Sequence, residues 1–289
     1  MTAAAPPISI ALIGSGLIGP RHAQSILRNP QTALHSLTDP APHAIEIAKS
    51  LSTPYHDSIS SLLSSAPLPT AVLICTPNST HVPISISCIE AGIKYVLVEK
   101  PISTSIPEGI KLLSVAEEKG AVILVGHHRR FNPYLISTKA ELDSGKLGRV
   151  IAVQGIWALK KPQSYFSGIG EWRRNGESGG VVLINLIHEV DLLQYLLGKV
   201  VAVSAFENGK GESAWNDVLK REEIQVNEKI VPFDEQIESL VQVVKEGKEP
   251  VCSGEEGLSA MIVCEAVRRS MKYGETVRID GLHIAGEKN

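Results

Sequence analysis

The segment that most restricts the fold is residues 8–19, where the apolar run Ile8-Ser9-Ile10-Ala11-Leu12-Ile13 leads straight into Gly14-Ser15-Gly16-Leu17-Ile18-Gly19. A short buried strand, then G-x-G-x-x-G, then a helical pattern is the opening of a parallel βαβ unit. Each glycine has its own physical reason. Gly14 permits the tight turn off the strand, Gly16 lets the backbone approach a pyrophosphate, and Gly19 lets the next helix lie close on the sheet. Pro20 suits the first turn of that helix, whose leading N–H groups would face phosphate oxygens. Asp39, twenty residues past Gly19, closes the apolar-alternating stretch 33–38, the expected second strand. A carboxylate there accepts hydrogen bonds from the hydroxyls of an adenosine ribose. It also repels a 2′-phosphate, and Pro40 supplies no cationic clamp for one, so the pattern favours NAD and leaves NADP open.

Strand and helix keep alternating up to residue 126, as a doubly wound parallel sheet requires. Helices are expected over 41–51 and, capped by Asp57, through residue 63. The apolar strand 71–75 ends at Thr76-Pro77-Asn78, and the helix that follows starts at His81 and stops at Gly92. The strand 94–98 closes on Glu99-Lys100-Pro101. Ser105-x-x-Glu108 has the form of a capping box opening a helix that ends at Gly120, and 121–125 is the last strand. Right-handed crossovers then place every strand's C-terminal end along one edge, where ligands of this fold bind. The pattern changes after residue 126. Helices are expected over 131–142, 181–197, 233–245 and 255–273, and strands over 150–157, 200–206 and 276–279. Residues 1–126 thus read as a dinucleotide-binding domain and 127–289 as an α+β domain for substrate and association.

Composition narrows the function classes. A chain of 289 residues with 43% hydrophobic and 20% charged residues has room for two cored domains. A net charge of −3 leaves no basic footprint for nucleic acid or an anionic membrane surface. No apolar run reaches membrane-spanning length, and the opening MTAAAPP lacks the features of a secretory signal. Cys75, Cys88, Cys252 and Cys264 sit in apolar stretches without C-x-x-C spacing, as buried free thiols of a reducing compartment do. The expected location is the cytoplasm.

Chemistry concentrates at a few points. Lys100, at the C-terminal end of a parallel strand, points into the crevice, and Pro101 holds it in an extended conformation. An ammonium there can polarise a substrate hydroxyl. In His127-His128-Arg129-Arg130, adjacent histidines on an extended segment would point to opposite sides, which argues against a shared metal. Trp157, Lys160, Lys161, Tyr165, Trp172 and Arg173 fall where strand and loop would face the crevice, and such residues suit a hydroxylated or carboxylated ligand.

These motifs, in the order Gly14 to Gly19, Thr76-Pro77-Asn78, Glu99-Lys100-Pro101, Gly126 to Pro133 and Gly179-Gly180…His188-x-x-Asp191, resemble the Gfo/Idh/MocA oxidoreductases. The resemblance implies a Rossmann domain followed by an α+β domain on a mostly antiparallel open sheet. It implies NAD(P)-dependent hydride transfer on a sugar, polyol or related hydroxy or keto compound. Two other outcomes stay open: a cofactor-retaining reaction without net redox change, and a non-catalytic nucleotide-binding protein. Carried over by position, Lys100 is the catalytic lysine and His188 the helix-borne acid/base. Cofactor contacts fall to Gly14, Gly16, Leu17, Ile18, Gly19, Asp39, Thr76, Pro77, Asn78, His81, Glu99 and Lys100. Substrate contacts fall to Arg129, Trp157, Tyr165, Trp172, Arg173, Asn185 and His188, and no metal is implied. Asp191 is expected to support the helix or its histidine. Two departures stand out: Ile184 occupies a position where many members carry Asp, and the stretch from 206 to 233 is short, so the sheet should be abbreviated. Members associate through that sheet, so a homo-oligomer is the expected assembly.

Overall fold

The computed structural model describes residues 6–157, 161–174, 180–206 and 231–279, without the side chains of 169, 170 and 172. Six strands form one parallel sheet: β1 (Ile8–Ile13), β2 (Thr32–Thr38), β3 (Tyr55–His56), β4 (Ala71–Ile74), β5 (Tyr95–Glu99) and β6 (Val122–Gly126). Their spatial order is β3-β2-β1-β4-β5-β6, every neighbouring pair parallel. The chain therefore winds outward from β1, returns across it to β4 and winds the other way. A crevice opens at the C-terminal ends of β1 and β4, where the winding reverses.

The strands read as continuous apolar runs because both faces are covered. Val72, Ile74, Val96, Val98, Ile123 and Val125 face one core, packed under α5 (Ile106–Lys119) and α9 (Gly254–Tyr273). The alternate residues Leu73, Leu97 and Leu124 join Ile10, Leu12 and Leu37 in the other, under α1 (Gly19–Arg28), α2 (His43–Ser50) and α8 (Pro232–Glu246). Each such side chain, fully buried, contributes about 1.5–3 kcal/mol. Two of these covering helices come from the end of the chain. Arg28 pairs with Asp234 through Nε at 3.0 Å, the Asn29 amide donates to Glu238 at 2.9 Å, and Lys245 donates to Gln31 at 3.0 Å, fastening α8 to the first helix.

Local signals place most of the elements. Ser105 caps α5 and Gly120 ends it in the left-handed region. Ser253 and Glu256 make a reciprocal capping box at the start of α9. The short helix α3 (Ile59–Leu63) is capped by Ser58 rather than by Asp57, since the Ser58 side chain accepts the Ser61 N–H. The remaining helices are α4 (His81–Glu90), α6 (Pro133–Asp143) and α7 (Ile187–Leu197). One π-helical turn, Val182–Leu186, leads into α7.

The second region carries, among the described residues, the expected abbreviated antiparallel sheet, but without one of its expected strands. Its strands are β7 (Ala202–Val203) and β8 (Val277–Arg278), an antiparallel pair of two residues each. The alternating stretch 150–157 forms no strand, because the described residues put no partner beside it. Its apolar side chains face outward, Ile151 94% and Ile156 77% exposed.

One buried arginine joins the parts. Arg130, in the turn after β6, is 2% exposed. It grips Asp191 of α7 through Nε and NH2, at 3.1 and 2.7 Å, and donates from NH1 to the Val251 carbonyl and to Glu256 of α9, each at 2.8 Å. The Tyr195 ring lies 4.8 Å from its guanidinium carbon. Removing one member of a buried ion pair strands the other charge, at a cost of about 3–5 kcal/mol. Arg130→Met should lower the unfolding free energy by about that amount in urea titrations, and the double change Arg130→Met with Asp191→Leu should recover most of the loss.

Candidate functional site

The loop between β1 and α1 is shaped by contact. Gly14 has φ +98°, and a Cβ there would sit 2.7 Å from the Cys75 carbonyl at the end of β4. A Cβ on Gly19 would overlap the Gly14 carbonyl oxygen, so α1 can start this close to the turn only from glycine. At Gly16 a Cβ would meet no protein atom within 4 Å. The backbone there faces open space, which is where a pyrophosphate would need to come. Leu17 is exposed and Ile18 half-buried beside it. No side chain caps α1, whose N-terminus points at the same space.

Asp39, at the end of β2, reaches back over this loop. Its Oδ2 accepts from the Ser15 N–H at 2.6 Å and the Ser15 hydroxyl at 2.8 Å, and its Oδ1 accepts from the Ala41 N–H at 2.8 Å. One acceptor position on Oδ1 remains for a ribose hydroxyl. These features together fit a dinucleotide.

The loops after β4 and β5 are tied together by His81. Its Nε2 lies 2.9 Å from the Thr76 carbonyl and its Nδ1 2.7 Å from the Pro101 carbonyl. Both ring nitrogens are thus engaged by protein. Thr76 meets the Thr80 hydroxyl at 2.7 Å, Pro77 precedes the short turn Asn78–Thr80, and Asn78 is buried there.

Glu99 and Lys100 end β5, followed by a cis bond to Pro101. The Glu99 carboxylate is buried against His22 of α1, Oε1 to Nε2 at 2.8 Å, and accepts the Lys100 N–H at 3.2 Å. Burial works to raise its pKa, but the His22 hydrogen bond and neighbouring positive charge win and hold it at about 2. Lys100 Nζ crosses to the other region and donates to the Ile184 carbonyl in the π turn, at 2.9 Å. Burial, then Arg129, Lys161 and Arg173, depress its pKa against the opposing pull of Glu99.

His188, on the first turn of α7, is 6% exposed and its Nδ1 is sealed without a hydrogen-bond partner among the described residues. Burial comes first, then Lys100, His127, His128 and Arg129, in pushing its pKa well below the ordinary imidazole range. His188 is therefore a neutral ring beside an ammonium. His127 and His128 do not diverge as their adjacency suggested. The chain turns at His128–Phe131 instead of running extended, and both rings present edges to His188, at 6.1 and 5.2 Å between centroids. His127 Nδ1 is 3.4 Å from Asp191, beyond a good hydrogen bond. His127, Asp191 and Cys252 bring their ligand atoms within 4.8 Å of one another, but Asp191 already holds the Arg130 guanidinium, which fills the place of a cation.

The expected substrate residues divide. Arg129 is ion-paired with Glu189 of α7, and Asn185 lies half-buried in the π turn. In the loop 161–174, the Tyr165 ring is flanked by Lys161 at 4.9 Å and Arg173 at 4.4 Å, and Arg173 donates to the Tyr165 carbonyl. Trp157 is half-buried at the end of the unpaired stretch. The Trp172 side chain and Lys160 lie outside the described residues.

Two neighbours escaped the motif reading. His22 and Phe233 pack edge to face at 4.9 Å, and Phe233 stacks on His128 at 4.8 Å. His22 carried a signal, as the position three past Gly19 on the helix face turned toward β5. Phe233 carried none, since it arrives from the far end of the chain.

Comparison with known proteins gives the same ordering. Residues 8–127 match the oxidoreductase family with the NAD-binding Rossmann fold (GFO_IDH_MocA), and residues 139–223 match the family's C-terminal alpha/beta domain. An inositol 2-dehydrogenase of Rhizobium meliloti is 28% identical over 66% of this chain and 56% of the relative. A scyllo-inositol 2-dehydrogenase (NAD(+)) of Bacillus subtilis is 30% identical over 68% and 56%. The chain thus spans little more than half the length of the curated relatives it matches. Among solved structures, the WlbA dehydrogenase from Bordetella pertussis in complex with NADH and UDP-GlcNAcA superposes with a TM-score of 0.79, at 21% identity over 94% of this chain and 98% of that one. The scyllo-inositol dehydrogenase from Lactobacillus casei with NAD(H) and scyllo-inositol gives 0.78 at 18% identity, over 95% and 99%. At that distance the likeness concerns the fold.

The buried charges make stability pH-dependent with a definite sign. Burial holds His127 at about 4, below the 6.5 of the unfolded chain, so the unfolded state takes up the proton first as pH falls between those values. Glu99, held at about 2 against an ordinary 4.5, adds a second loss in that lower window. Urea midpoints should fall as pH drops from about 6.5 to 4 and again toward 2. His127→Gln should make the first decline shallower, the remainder staying with His188, His128 and His81, and Glu99→Gln should make the second shallower.

Proposed function

The chain belongs to the Gfo/Idh/MocA oxidoreductase family, and from that premise we propose that it is an NAD(P)-dependent oxidoreductase. Hydride would move between nicotinamide and a hydroxyl- or carbonyl-bearing carbon of a polyol, sugar or related small molecule. The observation that carries this reading is the meeting of Lys100 with the π turn that leads to His188, at the strand edge beside the glycine loop.

On this reading Gly14, Gly16, Leu17, Ile18, Gly19 and the N-terminus of α1 receive the pyrophosphate, and Asp39 receives the adenosine ribose, favouring NAD over NADP. Thr76, Pro77 and Asn78 border the crevice on the β4 side, with His81 holding their loop. The cofactor, when bound, supplies the hydride acceptor or donor. Lys100 keeps two ammonium hydrogens beyond the one given to Ile184, and these hold the substrate hydroxyl. His188, a neutral ring on the first turn of α7, takes the hydroxyl proton in oxidation and returns it in reduction. Glu99, committed to His22 and the Lys100 N–H, fixes the strand end and does not move the proton. Arg129, Asn185, Tyr165 and Arg173 border the substrate side, with Trp157 and Trp172 assigned to it by position.

The polyol assignment follows the two inositol dehydrogenases among the relatives. We place residues 1–126 as the cofactor domain and 127–289 as the substrate and association domain, with α8 and α9 returning to cover the first. No described helix is long and apolar enough to cross a membrane, and four buried free cysteines fit a cytoplasmic protein. A second copy would associate through the second region, where Ile151, Val153 and Ile156 are exposed.

Two variants separate binding from chemistry. Gly16→Val has room in the protein but fills the pyrophosphate space, so it should fold normally and lose NADH binding in a nicotinamide fluorescence titration. Lys100→Ala should keep NADH binding and lose about 10²–10⁴-fold in kcat on an inositol substrate. Near-wild-type turnover in that variant would overturn the assignment.

A further inference from the structure

The π turn stands in the path of the lysine. An α-helix commits its interior carbonyls to the amides four residues on, and a π turn breaks that register locally and turns carbonyls away from the axis. Here the turn covers Val182–Leu186, and the carbonyl in its middle, Ile184, accepts Lys100 Nζ at 2.9 Å. The far side of the same turn is pinned by α9, where the Cys264 thiol faces the Val182 carbonyl at 4.0 Å. Ile184 is itself buried, yet its side chain belongs to neither hydrophobic core. Among the described residues no carboxylate oxygen comes within ion-pair distance of Lys100 Nζ. The nearest acid in sequence, Glu99, is turned to His22.

We propose that the π turn Val182–Leu186 is the positioning device for Lys100, with the Ile184 carbonyl as a fixed neutral anchor that aims the ammonium at the space in front of His188. This rests on the oxidoreductase reading above and deepens it, by giving the Ile184 carbonyl a positioning role toward Lys100. A carbonyl takes one ammonium hydrogen and leaves two, directed by the first, for a substrate oxygen. Unlike a carboxylate, it adds no counter-charge. The charged and titratable groups around the amine are then Glu99 on its own strand, His127, His128 and Arg129 after β6, Lys161 and Arg173 in the loop 161–174, His81 on α4 and the neutral His188 on α7. Burial first, and then three cations against one acid, let the amine release its proton more readily than an ordinary lysine. The same turn begins α7, so it fixes the lysine and the histidine in one stroke.

The test reads Lys100 itself rather than turnover. Competitive labelling of the folded protein with acetic anhydride across pH, followed by mass spectrometry of the Lys100 peptide, gives the titration midpoint of that amine. Because the anchoring oxygen and the residue 184 Cβ are about 3 Å apart within one residue, a carboxylate at 184 lies close to Nζ. Ile184→Asp should therefore raise the midpoint by about 1–3 pH units, and the neutral isostere Ile184→Asn should leave it in place. Where Ile184→Asp fails to fold, an ester in place of the Ile184–Asn185 amide keeps every side chain, weakens that carbonyl as acceptor and removes the Asn185 N–H. It should lower kcat on the order of tenfold with NADH affinity unchanged. A folded Ile184→Asp with an unmoved midpoint, or an ester variant with unchanged kcat, would overturn the anchor. The labelling result stands even where inositol is not turned over, so failure of the oxidoreductase reading is seen separately, in the substrate assay.

Discussion

The Arg130 guanidinium holds the geometry together. It is nearly sealed from solvent, and its donors reach three separate stretches of chain: Asp191 on α7, the Val251 carbonyl before α9, and Glu256 inside α9. A planar fork with five fixed donors can impose that arrangement; a lysine could not satisfy Asp191 in bidentate fashion and still reach the others. Since α7 carries His188 and begins from the turn that receives Lys100, the arginine sets where the helix lies against the edge of the parallel sheet. The distance between the two groups assigned to chemistry is thus fixed by a residue that faces neither a cofactor nor a substrate.

The electrostatics of the crevice follow from the same burial. Three histidines, 127, 128 and 188, crowd together in a volume that also holds the Lys100 ammonium, with Arg129 at its border. In such a place each ring favours its neutral form, and burial is the leading cause for all three. Glu99 keeps its charge because His22 lies against it, so one fixed anion balances the cation on the neighbouring residue. The outcome is a charged amine set beside neutral rings, with no carboxylate of the described residues in an ion pair with the lysine.

The glycine loop, Asp39, the strand ends and Lys100 could be read from the sequence because each is dictated by backbone geometry within a few residues. A turn that needs φ +98° and a helix start that leaves no space for Cβ demand glycine wherever they occur. The position of Arg130 was only half legible, since a motif can mark a conserved-looking cation without saying which distant acids it will meet. The expected strand 150–157 shows the opposite failure. Its alternation is correct for a strand, but strands exist through their partners, and period alone does not supply one. The π turn left no trace in composition: its apolar residues continue the helical pattern on both sides, and the change in hydrogen-bond register is a response to what the turn packs against.

The return of the chain to its beginning is what makes the site more than a Rossmann edge. Helix α8 lies on α1 through Arg28, Asn29 and Gln31, and this brings Phe233 between His22 and His128. The phenyl ring lies edge to face with His22, whose imidazole holds Glu99, and stacks on His128, whose ring borders His188. A nucleotide domain cut at the end of β6 would keep every motif residue up to Lys100, yet would lose Phe233 and both Arg130 and the helices that Arg130 ties together. The motif supplies the chemistry, and the helices from the far end supply the dry surroundings in which that chemistry has its strength.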